Sequence, residues 1–236
     1  MSEANKQIPD AEFKRRQEEA KELINESDRE NHHANPRRDQ FFETVYENAG
    51  RDAAMVPWAD LQAKDKLAAY LADKPGDGKR AVDVGCGLGD NAEALAEAGY
   101  ETIGFDFSPK AIHWAKERFA DGPVEYRVGD LLDLPKEWRG AFDLVHECYT
   151  LQSIPPVTLE QTIPAVSSLV APGGTLLVYT RLRDDGGDVD GPPWPLERSI
   201  AFSFSDYGLR LKSETPFFLE KGDRKIEHVF SVWEKR

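Results

Sequence analysis

Residues 81–90 read Ala81-Val82-Asp83-Val84-Gly85-Cys86-Gly87-Leu88-Gly89-Asp90, and this stretch decides the fold. Ala81 to Val84 has the β-branched, apolar texture of a buried strand, and Asn91 to Ala98 has helical texture, so three glycines lie in a strand-to-helix turn. Glycine there allows a tight turn and lets a ligand approach the backbone. By itself such a turn is also compatible with a purely structural role. A second strand, Tyr100 to Asp106, ends in an acid about 20 residues after Gly85, where a carboxylate can accept from both hydroxyls of a ribose. A dinucleotide would place its pyrophosphate at the start of the following helix and normally has glycine at the sixth position of the turn. Here that position is Asp90, with Asp83 before the turn. Two acids suit a ligand with a ribose, a positive charge and no phosphate, such as S-adenosylmethionine.

Outward from the turn, β-like and helical runs alternate: Pro109 to Phe119 helical, Val124 to Val128 and Phe142 to His146 extended, Leu159 to Val170 helical, Thr175 to Thr180 extended. That order predicts a mostly parallel sheet with helices on both faces. Leu209 to Pro216 and Ile226 to Trp233 are β-like runs separated by Glu220-Lys221-Gly222-Asp223, which predicts a hairpin and one antiparallel terminal strand. Upstream, residues 1–40 carry ten acids and eight bases with few large apolar groups, the texture of a polar helical or partly disordered arm. Residues 41–78 form an aromatic-rich cap segment and 79–236 the core, so 41–236 is read as one domain.

Lys and Arg total 30 against 43 Asp and Glu, a net charge of −13, which opposes nucleic acid and acidic membranes as partners. No apolar run spans a bilayer and the first residues lack the apolar core of a signal peptide, so the expectation is a cytoplasmic protein. Cys86 and Cys148 are too few for a disulfide scaffold. His32 and His33 have no third ligand at suitable spacing, so no metal is expected. A monomer or weak homodimer acting on a small molecule completes the expectation.

Asp83 to Gly89, Asp106 and Asp130, with Phe142-Asp143-Leu144-Val145 and Ala171-Pro172-Gly173-Gly174-Thr175-Leu176-Leu177, resemble the class I S-adenosylmethionine-dependent methyltransferases. The resemblance implies a Rossmann-like, doubly wound seven-stranded sheet with an antiparallel C-terminal strand, S-adenosylmethionine as cofactor and S-adenosylhomocysteine as product. It also implies a cofactor site of Asp83, Gly85, Cys86, Gly87, Asp106, Phe107, Asp130, Leu131 and Glu147, covered by Trp58. Trp58 before the core, Glu147 after the fourth strand and the short hairpin are most similar to the thiopurine and thiol S-methyltransferases, which makes a thiol one candidate acceptor.

Ligands in such sheets bind at the carboxyl ends of the strands, which nominates His146 to Gln152. Glu147 is placed near the methionyl amino group or the methyl, and Tyr149 and Gln152 along an acceptor pocket, with Arg181 and Arg183 available nearby. His146 reads either as a general base or as a hydrogen-bonded core residue. Asp184 to Trp194, rich in glycine and proline, reads as a loop over the site, with Trp58 and Trp194 as either lids or packing residues. Two other functions stay open. One is a non-catalytic cofactor-binding protein. The other is an NAD(P)-dependent reductase, whose Tyr-x-x-x-Lys spacing is matched by Tyr70 and Lys74, although these precede the glycine turn.

Overall fold

A computed structural model describes residues 9–31, 38–187, 189, 191–221 and 224–236. His32, His33, Asp188, Asp190 and the hairpin-turn residues Gly222 and Asp223 lie outside the described residues. In chain order the regular elements are α1 (Ala11–Asn31), α2 (Asp39–Ala49), α3 (Asp65–Ala72), β1 (Arg80–Val84), α4 (Asp90–Glu97), β2 (Glu101–Asp106), α5 (Pro109–Arg118) and β3 (Glu125–Val128). They continue as β4 (Phe142–Cys148), α6 (Leu159–Leu169), β5 (Val170–Arg183), β6 (Leu196–Glu197), α7 (Arg198–Ala201), β7 (Leu209–Lys221) and β8 (Arg224–Lys235). The chain forms two compact units, Met1–Gly78 with Cys86–Gly129, and Lys79–Gly85 with Asp130–Arg236.

In the first unit β2 and β3 run parallel, Asp106 opposite Val128. Helix α5 starts where the sequence predicts, because Ser108 Oγ accepts from Ala111 N–H at 3.1 Å and Pro109 supplies a preset φ in the first turn. Ala92, Ile112, Ala115, Val124 and Tyr126 make one buried cluster; Tyr46, Ala49, Val56, Leu88, Ala111 and Trp114 make another. The polar arm is helical over α1 and is seated on residues 52–59. Phe13 and Ala20 are buried, Gln17 Nε2 donates to the carbonyls of Val56 and Ala59 at 3.2 and 2.6 Å, and Arg16 pairs with Asp52.

The second unit orders its strands β1-β4-β5-β8-β7, with β1, β4 and β5 parallel and β8 antiparallel to both neighbours. The short β6 pairs with the end of β5. Leu144, Leu169, Leu176, Leu177, Phe204 and Trp233 fill its core. Parallel strands flanked by helices, closed by an antiparallel C-terminal strand, make the fold Rossmann-like α/β.

β4 and β5 run on to Cys148 and Arg183, past the expected His146 and Thr180, and the larger departures in strand length are at two other places. β5 begins at Val170 rather than Thr175: Val170 pairs with Phe142 and Thr175 with Leu144, so residues 171–174 bulge, with Gly173 at φ 75°. The hairpin strands also extend beyond Pro216 and Ile226, because pairing continues through Lys221 and Arg224 although Phe218 and Leu219 stay exposed. No helix among the described residues is long and apolar enough to cross a membrane.

Candidate functional site

In the first unit the glycine turn is built around Asp106. Its Oδ2 accepts from Gly87 N–H at 3.0 Å, its Oδ1 accepts from Ser108 N–H at 2.9 Å, and Cys86 N–H donates to Phe105 O at 2.9 Å. These two backbone bonds fix the orientation of the Asp106 carboxylate at the turn. Gly87 stands at φ 53°, and a Cβ there would lie 3.2 Å from Tyr46 Oη. Tyr46 accepts in turn from Trp58 Nε1 at 2.8 Å. Burial, and then the charge of Asp106, push the Tyr46 hydroxyl well above the ordinary tyrosine range, so it remains a donor.

Trp58 is half-buried among Phe41, Phe42 and Tyr46, with edge contacts of 5.2 Å to Phe42 and 5.7 Å to Tyr46, and Phe42 also meets Phe107 at 5.8 Å. The structure thus brings Gly87, Asp106, Phe107 and Trp58 into one neighbourhood and adds Tyr46, which sequence reasoning missed. The only prior signal was the aromatic density of residues 41–58. One part of the charge argument does not survive. Asp90 is held by Arg118 through two bonds of 2.7 and 2.8 Å, so its charge is compensated and does not by itself repel a phosphate.

In the second unit Asp83 on β1 is in register with His146 on β4, and Asp83 Oδ1 lies 2.7 Å from His146 Nδ1, both side chains buried. His146 is therefore a hydrogen-bonded core residue. Asp83 Oδ2 and Glu147 Oε2 are buried with no hydrogen-bond partner in the protein. Such oxygens are costly unless something donates to them. Glu147 points to the opposite side of β4 from His146 and accepts from Leu151 N–H at 2.9 Å. Burial pushes its carboxyl up to about 7, and the charge of Asp83 adds to that, against the backbone N–H groups of Leu151 and Thr150.

Gly85 stands at φ 64°, where a Cβ would come within 2.5 Å of Thr150 Oγ1, itself donating to Val84 O at 2.9 Å. Asp130 is half-buried and accepts from Leu132 N–H at 2.8 Å in a local turn that also orients Leu131. Gln152 is buried, and its Oε1 accepts from Arg181 N–H at 2.8 Å and Thr180 Oγ at 3.2 Å, so its side chain ties residues 151–153 to β5. Trp194 is buried too, its N–H bound to Gln152 O at 2.8 Å. Arg183 pairs with Glu197 at 2.7 Å, whereas Arg181 stands beside the ring of Tyr149 at 5.8 Å. Among the described residues no group of three His, Cys, Asp or Glu could hold a metal ion.

A family model described as a methyltransferase domain matches residues 81–174. The ubiquinone biosynthesis O-methyltransferase of Chromobacterium violaceum is 36% identical over 109 residues, 45% of this chain and 46% of that protein. The protein of the same name from Bordetella avium is 30% identical over 153 residues, 64% of this chain and 56% of its own. The chain spans about half the length of these curated relatives. The crystal structure of Burkholderia thailandensis 1,6-didemethyltoxoflavin-N1-methyltransferase, with bound 1,6-didemethyltoxoflavin and S-adenosylhomocysteine, superposes with a TM-score of 0.63 at 16% identity. It covers 84% of this chain and 86% of that one, a likeness of fold. Over residues 81–174, which hold the glycine turn and the strands after it, the chain is thus similar in sequence to a methyltransferase domain, and its likeness to methyltransferases beyond them is one of fold.

Proposed function

We propose that this chain transfers a methyl group from S-adenosylmethionine to a small-molecule nucleophile. The observation that carries the reading is the turn at Gly87, which Asp106 holds open and which a Cβ would crowd against Tyr46. S-adenosylmethionine supplies a methyl on a sulfonium sulfur, already activated for in-line displacement, and is released as S-adenosylhomocysteine. The protein's part is to bind, orient and exclude water.

In this reading Asp106 takes the ribose hydroxyls and Asp130 the adenine amino group, with Phe107 and Leu131 beside them in sequence as further cofactor contacts. Gly85, Cys86 and Gly87 let the ligand lie on the backbone, and Trp58 covers it. Asp83 and Glu147, each with a buried oxygen lacking a protein donor, suit the cationic methionyl end. Glu147 and Tyr149 position the acceptor, with Gln152, Arg181 and Trp194 forming its surroundings. A thiol acceptor ionises without help and needs no base. A hydroxyl acceptor is supported by two things, the Glu147 carboxyl poised at about 7 and the O-methyltransferase names of the curated relatives.

Calorimetric titration with S-adenosylhomocysteine and NADH, followed by S-adenosylhomocysteine release across phenols, thiols, amines, carboxylates and halides, tests the proposal. Micromolar-range binding of the homocysteine product, no NADH binding, and turnover in one acceptor class are expected. Tight NADH binding without the product would support a reductase. Product binding with no turnover on any acceptor would leave a non-catalytic cofactor-binding protein.

A further inference from the structure

The carboxyl edge of β4 and β5 carries a second arrangement, contained wholly in the second unit. The β5–β8 register sets Tyr179 opposite Phe230 and Arg181 opposite His228, and the β7–β8 register sets Phe217 opposite His228. Tyr149 follows β4 directly, its N–H donating to Tyr179 O at 3.0 Å. The rings meet at short range. Tyr149 lies edge-on to Tyr179 at 5.1 Å, Tyr179 meets Phe217 at 5.1 Å, and Phe217 stacks on His228 at 5.2 Å with 24° between planes. Tyr179 and His228 are buried, while Tyr149, Phe217 and Arg181 are only half-buried, so the wall has a closed floor and an open side.

Two features do not serve the fold. Tyr149 holds φ 65°, a conformation that non-glycine residues rarely adopt and that marks functional positions when the surroundings impose it. Arg181 forms no ion pair among the described residues, in a chain where acids outnumber bases 43 to 30, and its Nε is buried without a hydrogen-bond partner. A half-exposed guanidinium whose Nε is shielded from water and which has no carboxylate beside it is suited to an anion from outside. The half-open rings of Tyr149 and Phe217 offer flat apolar surface to a ligand near that guanidinium.

We propose that Tyr149, Tyr179, Phe217, His228 and Arg181 form the acceptor subsite, and that the acceptor is an aromatic compound bearing one carboxylate, its ring against the tyrosines and its anion on Arg181. A single guanidinium in a protein of net charge −13 suits a monoanion rather than a phosphate dianion. The inference rests on the methyl-transfer reading for its biological meaning, although the binding itself does not require that reading.

The test titrates 2-naphthoate and its neutral isostere 2-naphthamide into the full chain, with and without saturating S-adenosylhomocysteine. Naphthoate is expected to bind at least tenfold more tightly than naphthamide. Arg181→Met should remove that difference and Arg181→Lys restore part of it. Tyr149→Gly, which relieves the positive φ and so keeps the fold, should weaken both ligands while leaving the melting temperature level or higher. Equal binding of the two ligands, binding of neither, or naphthoate affinity unchanged in Arg181→Met overturns the inference. Failure of S-adenosylhomocysteine to bind while naphthoate still discriminates would overturn the cofactor reading alone.

Discussion

Asp106 holds the glycine turn through Gly87 N–H and is the residue proposed to take the ribose hydroxyls. Replacing it by alanine removes the acceptor for Gly87 N–H as well as for a ribose, so S-adenosylhomocysteine should bind about 1.5–3 kcal/mol more weakly by calorimetry. Unchanged affinity would show that the carboxylate serves the turn only. Tyr46→Phe should cost about tenfold in the same titration and little in melting temperature, since it removes only the hydroxyl between Trp58 Nε1 and the glycine turn. Asp106 and Gly87 were legible in sequence because a strand, a turn and a second strand fix their relation within about 20 residues. Tyr46 was not, because its place depends on how α2 packs against the turn, which no local spacing encodes. Asp90 misled for the same reason, its compensating Arg118 lying at the far end of α5.

At the scale of elements, the pattern of alternating strands and helices was readable because the buried strands are mostly apolar and α5 carries its own start signal in Ser108 and Pro109. Where an element depends on a partner strand, the reading fell short: β5 starts early because a bulge at 171–174 lets Val170 pair with Phe142. Helix α1 is a similar case, since its sequence is polar almost throughout and its seat rests on Phe13, Ala20 and the amide of Gln17. Hydrogen exchange should therefore show α1 protected in the ligand-free chain. Gln17→Ala, which removes two donor contacts worth about 1 kcal/mol each, should speed exchange there roughly tenfold or more without altering β5. Random-coil exchange in α1 of the unliganded parent would refute the docking.

For the whole molecule, one buried acid sets a pH dependence. Glu147 is fully buried, with its carboxyl raised to about 7 in the folded chain against 4.5 for an ordinary glutamate. Between those values the folded protein binds the proton that the unfolded chain has released, so this residue makes stability fall as pH rises through the window, and the loss is complete above about 7. At 1.4 kcal/mol per unit, the effect is on the order of 3 kcal/mol. Glu147→Gln keeps an oxygen for Leu151 N–H and removes the charge. Its unfolding free energy should match the parent near pH 4.5 and exceed it by an amount of that order at pH 8, in urea titrations followed by tryptophan fluorescence. The variant should at the same time lose cofactor affinity at pH 8, because Glu147 Oε2 no longer offers a charge to a ligand ammonium. A gain in stability paired with a loss in binding is the signature of a group kept against the interest of the fold. Parallel stability curves for the two proteins from pH 5 to 8 would show that Glu147 is ionised in the folded chain throughout that window, as in the unfolded one, and would remove the raised carboxyl from both the pH dependence and the proton transfer.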